Sequence, residues 1–412
     1  MKRQLFPSLL FSLFLLPVVT QSAVAQVKTG IEVLGERDFD LLQGKRVGLI
    51  TNPTGVDRQL RSTIDILHEA VRLTALFGPE HGVRGDFSAG DHVGDQVDPQ
   101  TGIPVYSLYG QNRKPSKEAL EQVDVLVYDI QDIGARSYTY ISTMGLVMEA
   151  AAEFGKEVVI LDRPNPLGGI RVEGPLVEED YVSFVSQYRI PYVYGLTCGE
   201  LALMLNGEGM LEGGVRCKLE VVGMEGWRRD MTFDQTGLPW VPTSPHIPDY
   251  RTAFFYPATG ILGELDPNMI GIGYTLPFQV LATEKIDAVR LAEAMNGLGL
   301  PGVRFRPIYF TPYYMPLKGK ALQGVQLHLT DPLRAPLTSI QFWFVQEAHK
   351  LDPSFDPFEG KESRYRMFDQ VCGSDHLRMS LMQEFNFSLL EDYWMGESEN
   401  FRKRSSPYYL YK

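Results

Sequence analysis

Four short apolar runs dominate the first half of this sequence, and each of them ends in polar residues. The runs are Arg46–Thr51, Leu73–Phe77, Val123–Ile130 and Glu157–Leu161. Strand-length runs that alternate with helical periodicity indicate βαβ units and a parallel sheet. The sequence therefore predicts an α/β fold, with a Rossmann-like parallel-sheet domain in the N-terminal half.

The polar residues that follow these runs are predicted to meet at one edge of the sheet. They are Asn52 after the first run, Glu80 and His81 after the second, Asp132 and Arg136 after the third, and Asp162, Arg163 and Asn165 after the fourth, with Glu173 shortly beyond. In open parallel sheets, ligands bind outside the carboxyl ends of the strands. We therefore expect an active-site cleft at this edge.

Capping and breaking signals divide the rest of the chain. Ser62 and the Thr197–Glu200 pair match helix N-caps, and Gly155 stands where a helix C-cap glycine belongs. Prolines at 239, 242, 245 and 248 exclude the interior of a helix or strand and predict an ordered connection. We therefore predict a Rossmann-like catalytic domain over residues 26–240 and a smaller α+β C-terminal domain over residues 241–412, which completes the cleft. Within the second domain, helices are predicted over 285–298, 340–349 and 362–393, and a strand over 325–329.

The first 25 residues have the pattern of a signal peptide. A basic Lys2-Arg3 start precedes an apolar stretch, and Ala23-Val-Ala25 is the small-x-small pattern at which signal peptidase cuts. The apolar stretch is short for a membrane span of about 20 residues, so cleavage is favoured over a membrane anchor. We expect a periplasmic or secreted protein that begins at Gln26 and has no stable membrane anchor.

Charge and motif content exclude several classes of partner. The net charge of −12 disfavours nucleic acid and anionic lipid as partners. No Gly-x-Gly-x-x-Gly follows the first strand and there is no Walker loop, so no nucleotide cofactor is predicted. Three widely spaced cysteines (198, 217 and 372) leave a single disulfide open, although three buried thiols are the simpler interpretation.

The residue types at the predicted cleft suit the hydrolysis of a sugar. A carboxyl such as Glu80 can protonate a leaving oxygen, although a Glu-His pair after Gly-Pro can also cap a turn. Asp132 or Asp162 is the candidate for a second carboxylate. Aromatic residues such as Tyr138 stack on the apolar face of a sugar while polar neighbours bind its hydroxyls.

A metal site is the alternative use of one of these segments. His81, Asp86, Asp91 and His92 supply ligand types that bind divalent metals. Their spacing matches no known metal motif, and the glycines among them favour a loop that covers the substrate. We therefore predict no metal at this position.

Several motifs resemble the bacterial exo-β-N-acetylmuramidase (NamZ-type) family. The motifs, in the family's order, are Gly48-Leu-Ile-Thr-Asn-Pro-Thr-Gly55, Leu76-Phe-Gly-Pro-Glu-His-Gly-Val-Arg-Gly85, Thr101-Gly-Ile-Pro-Val-Tyr-Ser-Leu-Tyr-Gly110, Asp129-Ile-Gln-Asp-Ile-Gly-Ala-Arg136, Leu161-Asp-Arg-Pro-Asn-Pro-Leu-Gly-Gly169, Glu173-Gly-Pro175 and Tyr194-Gly-Leu-Thr-Cys-Gly-Glu-Leu-Ala202. The resemblance implies release of N-acetylmuramic acid from the non-reducing ends of peptidoglycan fragments, and it implies Glu80 as the leading catalytic residue.

One segment departs from the family's pattern. Where the family has a Glu and two Arg, the stretch 268–278 has Ile270, Ile272 and Leu276, and a preceding Ser-Pro-Asn is Ser244-Pro-His246. Arginine binds carboxylates well, so this departure affects the predicted sugar rather than the fold. His246 is added to the predicted substrate-binding residues.

These observations predict an exported glycoside hydrolase that acts on N-acetylmuramic acid or a related amino sugar. Glu80 is the predicted general acid, and Asp132 or Asp162 is the second carboxylate. The 2-acetamido oxygen of the substrate can replace an enzymic nucleophile. Two alternatives remain open at this stage: a non-catalytic periplasmic binding protein for sugars or muropeptides, and a metal-dependent hydrolase.

Overall fold

The computed structural model describes residues 26–85, 96–110 and 112–412. The predicted signal peptide and the residues Asp86, Asp91 and His92 lie outside these ranges. Among the described residues, no helix has both the length and the apolar character that a membrane crossing requires.

A seven-stranded sheet forms the N-terminal half. Its strands are β1 (Arg46–Thr51), β2 (Arg72–Gly78), β3 (Gln96–Val97), β4 (Pro104–Ser107), β5 (Val125–Asp129), β6 (Glu157–Leu161) and β7 (Lys218–Val222). Their spatial order is β3-β4-β2-β1-β5-β6-β7, and only the β3–β4 pair is antiparallel. Every residue of β5 is buried, as expected for a central strand that is covered on both faces. The predicted Rossmann-like parallel sheet is confirmed.

The strand order creates a switch point beside β1. The chain runs outwards from β1 through β2 to β4, and then returns to place β5 on the other side of β1. Thr51 at the end of β1 pairs with Asp129 at the end of β5. Loops diverge at such a switch point and leave a crevice for a ligand.

Helices cover both faces of this sheet and build most of the C-terminal half. They are α1 (Gly30–Glu36), α2 (Thr63–Ala70), α3 (Lys117–Leu120), α4 (Tyr140–Glu153), α5 (Cys198–Glu208), α6 (Thr252–Gly263), α7 (Ala288–Gly297), α8 (Leu337–Leu351), α9 (Glu362–Cys372), α10 (His376–Glu384), α11 (Glu391–Met395) and α12 (Ser398–Ser405). Ser62 caps α2, and Thr197 with Glu200 forms the capping box of α5, as predicted.

The C-terminal half contains a three-stranded antiparallel sheet. Its order is β8 (Val280–Thr283), β10 (Leu322–Leu329) and β9 (Val303–Phe310). The sequence predicted only part of β10, and the helix predicted from residue 285 begins at Ala288. Pro307 lies within β9, and β9 pairs only with β10, so the proline sits in an edge strand, where the missing N–H is tolerated.

One hydrophobic core joins the two halves. It combines Ile133 and Tyr192 from the N-terminal half with residues of α6 and α8, including Ala258 and Phe342. The strand ends of the large sheet are therefore held against the C-terminal half, and side chains from both contribute to the cleft.

Candidate active site

Glu80 lies at the carboxyl end of β2, directly after the Gly78-Pro79 break. It is half-buried, and the phenol of Tyr109, which follows β4, lies against its carboxylate. Burial, and then the charge and contact of Glu80, raise the pKa of Tyr109 to about 12. The neighbouring His81 has a φ of 75°, a left-handed conformation that is costly for a residue with a side chain. The chain is thus held in a strained turn beside the carboxyl group.

Tyr140 lies where three of the strand ends converge. Burial is the main cause of its raised pKa, and the charges of Glu80 and Asp132 raise it further, while the Asn52 amide beside it lowers it. Its hydroxyl donates to the carbonyl of Thr243 at 2.6 Å. Glu80, Asn52 and Asp132 therefore surround one phenol, as the prediction of a shared cleft requires.

Four aromatic rings pack together beside these strand ends, and we call them the aromatic wall. Tyr138 packs edge-on against Tyr140 and Tyr256, with ring centroids 5.1 and 5.6 Å apart, and Tyr256 packs on Phe278 at 5.0 Å. Both Glu80 and Asp132 raise the pKa of Tyr256, after the larger effect of burial. Aromatic rings with polar groups along their edges suit a sugar, whose C–H face is apolar.

Asp132 is buried, and its two oxygens have different surroundings. Oδ2 accepts hydrogen bonds from the Gly134 amide and from the Tyr194 hydroxyl. Within the described residues, Oδ1 has no hydrogen-bond partner. Burial raises the pKa of Asp132 to about 6, against the lowering effect of the Tyr194 hydroxyl and of the Gly134 and Ile133 amides. The carboxyl therefore changes its charge near neutral pH, as catalytic carboxyls in clefts commonly do.

Asn52 supplies a donor next to this acceptor. Its Oδ1 accepts from the amide and the hydroxyl of Thr54, and that hydroxyl in turn accepts from the Gln131 amide at 2.8 Å. In the described part of the chain, the buried Asn52 Nδ2 makes no hydrogen bond of good geometry, and the Tyr140 hydroxyl is the polar group beside it. Buried polar groups are normally paired, so this donor and the Oδ1 acceptor of Asp132 are two atoms that a ligand can satisfy.

His246 extends the cleft into the C-terminal half. Its Nε2 lies 2.9 Å from the Tyr314 hydroxyl, and the two rings are nearly parallel. Burial and the nearby His81 both lower the pKa of His246. The two predicted histidines are therefore close together, on the same side of the cleft as Glu80.

Arg136 serves the scaffold instead of the cleft. It is fully buried, and all five of its N–H groups donate within the protein. Nε donates to the Ser186 hydroxyl, and the remaining donors reach the carbonyls of Pro175, Ile190, Val371 and Cys372. No donor remains for a substrate, so the structure argues against the predicted binding role. The side chain joins the two halves of the protein.

Three residues that follow β6 also serve the scaffold. Both oxygens of Asp162 accept hydrogen bonds from the start of α5. The Thr197 hydroxyl donates to Oδ2, and the Gly199 amide donates to Oδ1. Arg163 forms a buried bidentate pair with Asp129 and reaches the Val56 carbonyl. Asn165 bonds to Leu196 and Leu167. Because the polar groups of Asp162 and Asn165 are engaged within the protein, the structure does not support Asp162 as the second carboxylate or Asn165 as a substrate ligand. Arg163 commits its Nε and Nη2 groups to the scaffold in the same way, so its observed role is structural.

Glu173 completes the list of predicted residues that lie elsewhere. It pairs with Arg171 and accepts from both the amide and the hydroxyl of Thr338, in the first turn of α8. A carboxylate stabilises a helix N-terminus through the helix dipole. Glu173 therefore anchors α8 to the N-terminal half.

Three of the four residues of the metal alternative lie outside the described residues. They are Asp86, Asp91 and His92, and no group of three potential ligands capable of holding a metal occurs elsewhere in residues 26–85, 96–110 and 112–412. The three cysteines are buried free thiols.

Sequence reasoning missed two of the phenols in the cleft. Tyr109 follows β4, a short strand near the edge of the sheet, so the same rule about strand ends would have found it. Tyr256 lies inside α6 and comes from the other half of the chain, and no local pattern signals its position.

The divergent segment 268–278 lies partly in the core. Ile270 and Ile272 are buried among core residues of the C-terminal half. Gly271 and Gly273 have φ values of 82° and 93°, and a Cβ at either position would approach a backbone oxygen to within 2.5 Å or less. The backbone path of this segment therefore requires glycine at both positions.

Comparison with known proteins gives one consistent result. The family models for the N-terminal and C-terminal parts of exo-β-N-acetylmuramidase NamZ match residues 47–251 and 254–411. The peptidoglycan β-N-acetylmuramidase NamZ of Bacillus subtilis (strain 168) is 42% identical over 388 residues, which cover 94% of this chain and 92% of that protein.

Two solved structures of DUF1343 family proteins from Bacteroides fragilis NCTC 9343 have the same fold. One is 56% identical with a TM-score of 0.90, and the other is 29% identical with a TM-score of 0.75. Each alignment covers 94% of this chain and 99% of the other.

Proposed function

The chain belongs to the exo-β-N-acetylmuramidase NamZ family, and from this premise we propose how its cleft cleaves a glycosidic bond. The protein is a glycoside hydrolase that releases N-acetylmuramic acid from peptidoglycan fragments. We propose in addition which residues carry out the reaction and where in the cell it takes place.

Glu80 acts as the general acid. It gives its proton to the glycosidic oxygen while the bond from that oxygen to the anomeric carbon breaks. A water molecule then adds to the anomeric carbon and returns a proton to the Glu80 carboxylate. The observation that carries this assignment is the position of Glu80 at a strand end, where its charge and that of Asp132 act on the same phenols, Tyr140 and Tyr256.

Asp132 and Asn52 bind the 2-acetamido group of the substrate. The unpaired Oδ1 of Asp132 accepts from the acetamido N–H, and the unpaired Nδ2 of Asn52 donates to its carbonyl oxygen. An acetamido group that is held in this way can place its oxygen against the anomeric carbon and stabilise the positive charge that develops there. No carboxylate nucleophile from the protein is then needed.

The aromatic wall positions the sugar ring. Tyr138 and Tyr256 offer apolar faces, and His81 and His246 line the same side of the cleft as the acid. Contacts of this kind hold the scissile bond at Glu80 and exclude water from the cleft, which strengthens each polar interaction in it.

A chromogenic glycoside of N-acetylmuramic acid tests the assignment of Glu80. We expect Glu80→Gln to lower turnover by about 10² or more with an unchanged melting temperature, because glutamine keeps the shape of the side chain but cannot release a proton. Glu69→Gln is the matched control. Glu69 lies on the nearby helix α2, and its exposed carboxylate is paired with Arg61. Near-normal turnover of Glu80→Gln would move the acid to another residue.

A chelator added to the same assay separates the two hydrolytic mechanisms. We expect turnover to be unaffected, because the proposed steps use only a carboxylic acid, an amide and the substrate itself. Loss of turnover that returns with added metal would favour the metal-dependent alternative.

We also propose that the protein is exported and acts in the periplasm or outside the cell. The support is the Ala23-Val-Ala25 pattern at the end of the predicted signal peptide. N-terminal sequencing of protein from the producing cell should find Gln26, and a retained Met1 would contradict the proposal.

A further inference from the structure

Three consecutive apolar side chains are exposed in the loop between β9 and β10. Tyr313, Tyr314 and Met315 are 61%, 47% and 39% exposed, and we call these three residues the aromatic rim. Single exposed apolar residues are ordinary, but a contiguous exposed group of this kind marks a binding surface more often than chance.

The segment 268–278 holds this loop in place. The Tyr313 amide donates to the Gly273 carbonyl at 2.7 Å. The fully buried Asn268 accepts from the Leu317 amide at 2.9 Å, and its Nδ2 donates to the Ile272 carbonyl at 2.9 Å. Gly273 is required because a Cβ there would lie 2.5 Å from the Tyr314 carbonyl oxygen. The backbone of the rim is therefore already ordered, so ligand binding costs little additional conformational entropy in this loop.

The aromatic rim continues directly from the cleft. The Tyr314 hydroxyl lies 2.9 Å from Nε2 of His246, and the rings of these residues are 6.4 Å apart with an interplanar angle of 19°. His246 is close enough to His81 for the charge of His81 to lower the pKa of His246, and His81 directly follows Glu80 in the chain. His246 therefore contacts the rim and lies near the Glu80-His81 segment.

We propose that the aromatic rim binds the sugar on the leaving-group side of the scissile bond, with the ring of Tyr314 against its apolar face. The proposal rests on the proposed function, in which Glu80 protonates the oxygen that stays with this sugar. An exo-acting enzyme encloses one terminal sugar, and the remaining fragment must extend outward past the acid. The rim is uncharged and aromatic, which suits a neutral pyranose better than a charged stem peptide.

Two substrates separate this binding role from other roles of Tyr314. The first is the disaccharide in which N-acetylmuramic acid is linked to N-acetylglucosamine, and the second is the methyl glycoside of N-acetylmuramic acid, whose leaving group is methanol. For Tyr314→Ala we expect kcat/KM to fall by about fivefold or more on the disaccharide, mainly through KM, and to stay within about twofold on the methyl glycoside. Tyr313→Ala should show the same selectivity with a smaller effect.

Tyr309→Ala is the matched control. Tyr309 is a tyrosine of similar exposure, 62%, in β9 of the same sheet, but it lies outside the rim, so neither substrate should be affected. If Tyr314→Ala lowered kcat/KM equally on both substrates, the Tyr314 side chain would act on the N-acetylmuramic acid that both substrates share. That result would overturn the proposal. Unchanged kinetics on both, or a loss seen only when the fragment carries a stem peptide, would also overturn it. If the wild-type protein cleaved neither substrate, the proposed function itself would fail.

Discussion

Replacing Asp132 by asparagine should separate the stability of this protein from its activity. Asparagine has the same shape as aspartate, and its oxygen can accept from Tyr194 and Gly134 as the Asp132 Oδ2 does. Its NH2 group then occupies the position of Oδ1, which has no partner among the described residues. The variant removes an ionisable group and keeps the two hydrogen bonds to Oδ2.

The size of the effect follows from the pKa of Asp132. Burial raises this pKa from the ordinary 3.8 to about 6, and at about 1.4 kcal/mol per pKa unit the rise corresponds to about 3 kcal/mol. Between pH 4 and pH 6 the folded protein keeps a proton that the unfolded chain releases. The wild-type protein therefore loses about 3 kcal/mol of stability as the pH rises through this window, and none of this loss occurs in the variant.

The buried NH2 group lacks an acceptor and costs about 1–2 kcal/mol at every pH. We therefore expect Asp132→Asn to be less stable than the wild type by about that amount at pH 4, and more stable by about 1–2 kcal/mol at pH 7.5. Urea denaturation at the two pH values measures both differences. Turnover of the chromogenic glycoside should fall by about tenfold to 10², because the variant can no longer accept the acetamido N–H.

Asp162→Asn is the matched control for this experiment. Burial also raises the pKa of Asp162 to about 6, but four donors surround its carboxylate: the amides of Arg163 and Gly199 and the hydroxyls of Thr197 and Tyr411. An NH2 group would face two of these donors, so this variant should lose stability at both pH values while its folded fraction keeps normal turnover. Normal turnover in Asp132→Asn, or a pH dependence of stability like that of the wild type, would refute the reasoning for Asp132.

Two further predictions concern the arginines and the choice of sugar. Arg136→Lys should destabilise the protein by about 3 kcal/mol or more, because one ammonium cannot replace five donors, and KM should be unchanged for the folded protein; an altered KM with unchanged stability would restore the binding role. The protein should also prefer glycosides of N-acetylmuramic acid over those of N-acetylglucosamine less strongly than relatives whose segment corresponding to 268–278 carries arginines. Ile272 and Leu276, which stand in place of those arginines, bear no charge, and the donors of Arg136 are all engaged within the protein. Hydrolysis rates of the two chromogenic glycosides measure this preference, and a strong preference for muramic acid would contradict the prediction.

The parallel sheet could be predicted because its signal is local. Strands such as β5 and β6 are covered on both faces, so their residues are apolar over the whole strand. Helix caps such as Ser62 are equally local, since the capping hydrogen bond spans only two or three residues. The strands β8 and β9 were missed, because β8 is four residues long and β9 is an edge strand that contains a proline.

The same reasoning could place polar residues at the strand ends but could not tell what each one contacts. Asp132 lies three residues after the end of β5 and Asp162 directly after the end of β6, and both are buried. They differ because α5 begins beside Asp162 and directs its N-terminal donors at the carboxylate, whereas Oδ1 of Asp132 has no hydrogen-bond partner within residues 26–85, 96–110 and 112–412. Likewise, the partners of Arg136 in α9 lie about 235 residues further along the chain, a distance over which no sequence pattern carries information.

The divergent segment 268–278 illustrates how a change in the core can affect specificity. Its isoleucines pack inward, and its Asn268 and Gly273 fix the loop that carries Tyr313 and Tyr314. Glu80 and Asp132 belong to strand ends of the other half, whose backbone is set by the parallel sheet. A change within this segment therefore alters the surface that receives the leaving fragment and leaves the position of the acid unchanged. The position of the acid is set by the parallel sheet, and the surface that receives the leaving fragment is set by the segment 268–278. Specificity for the leaving fragment can therefore diverge while the cleavage chemistry is preserved.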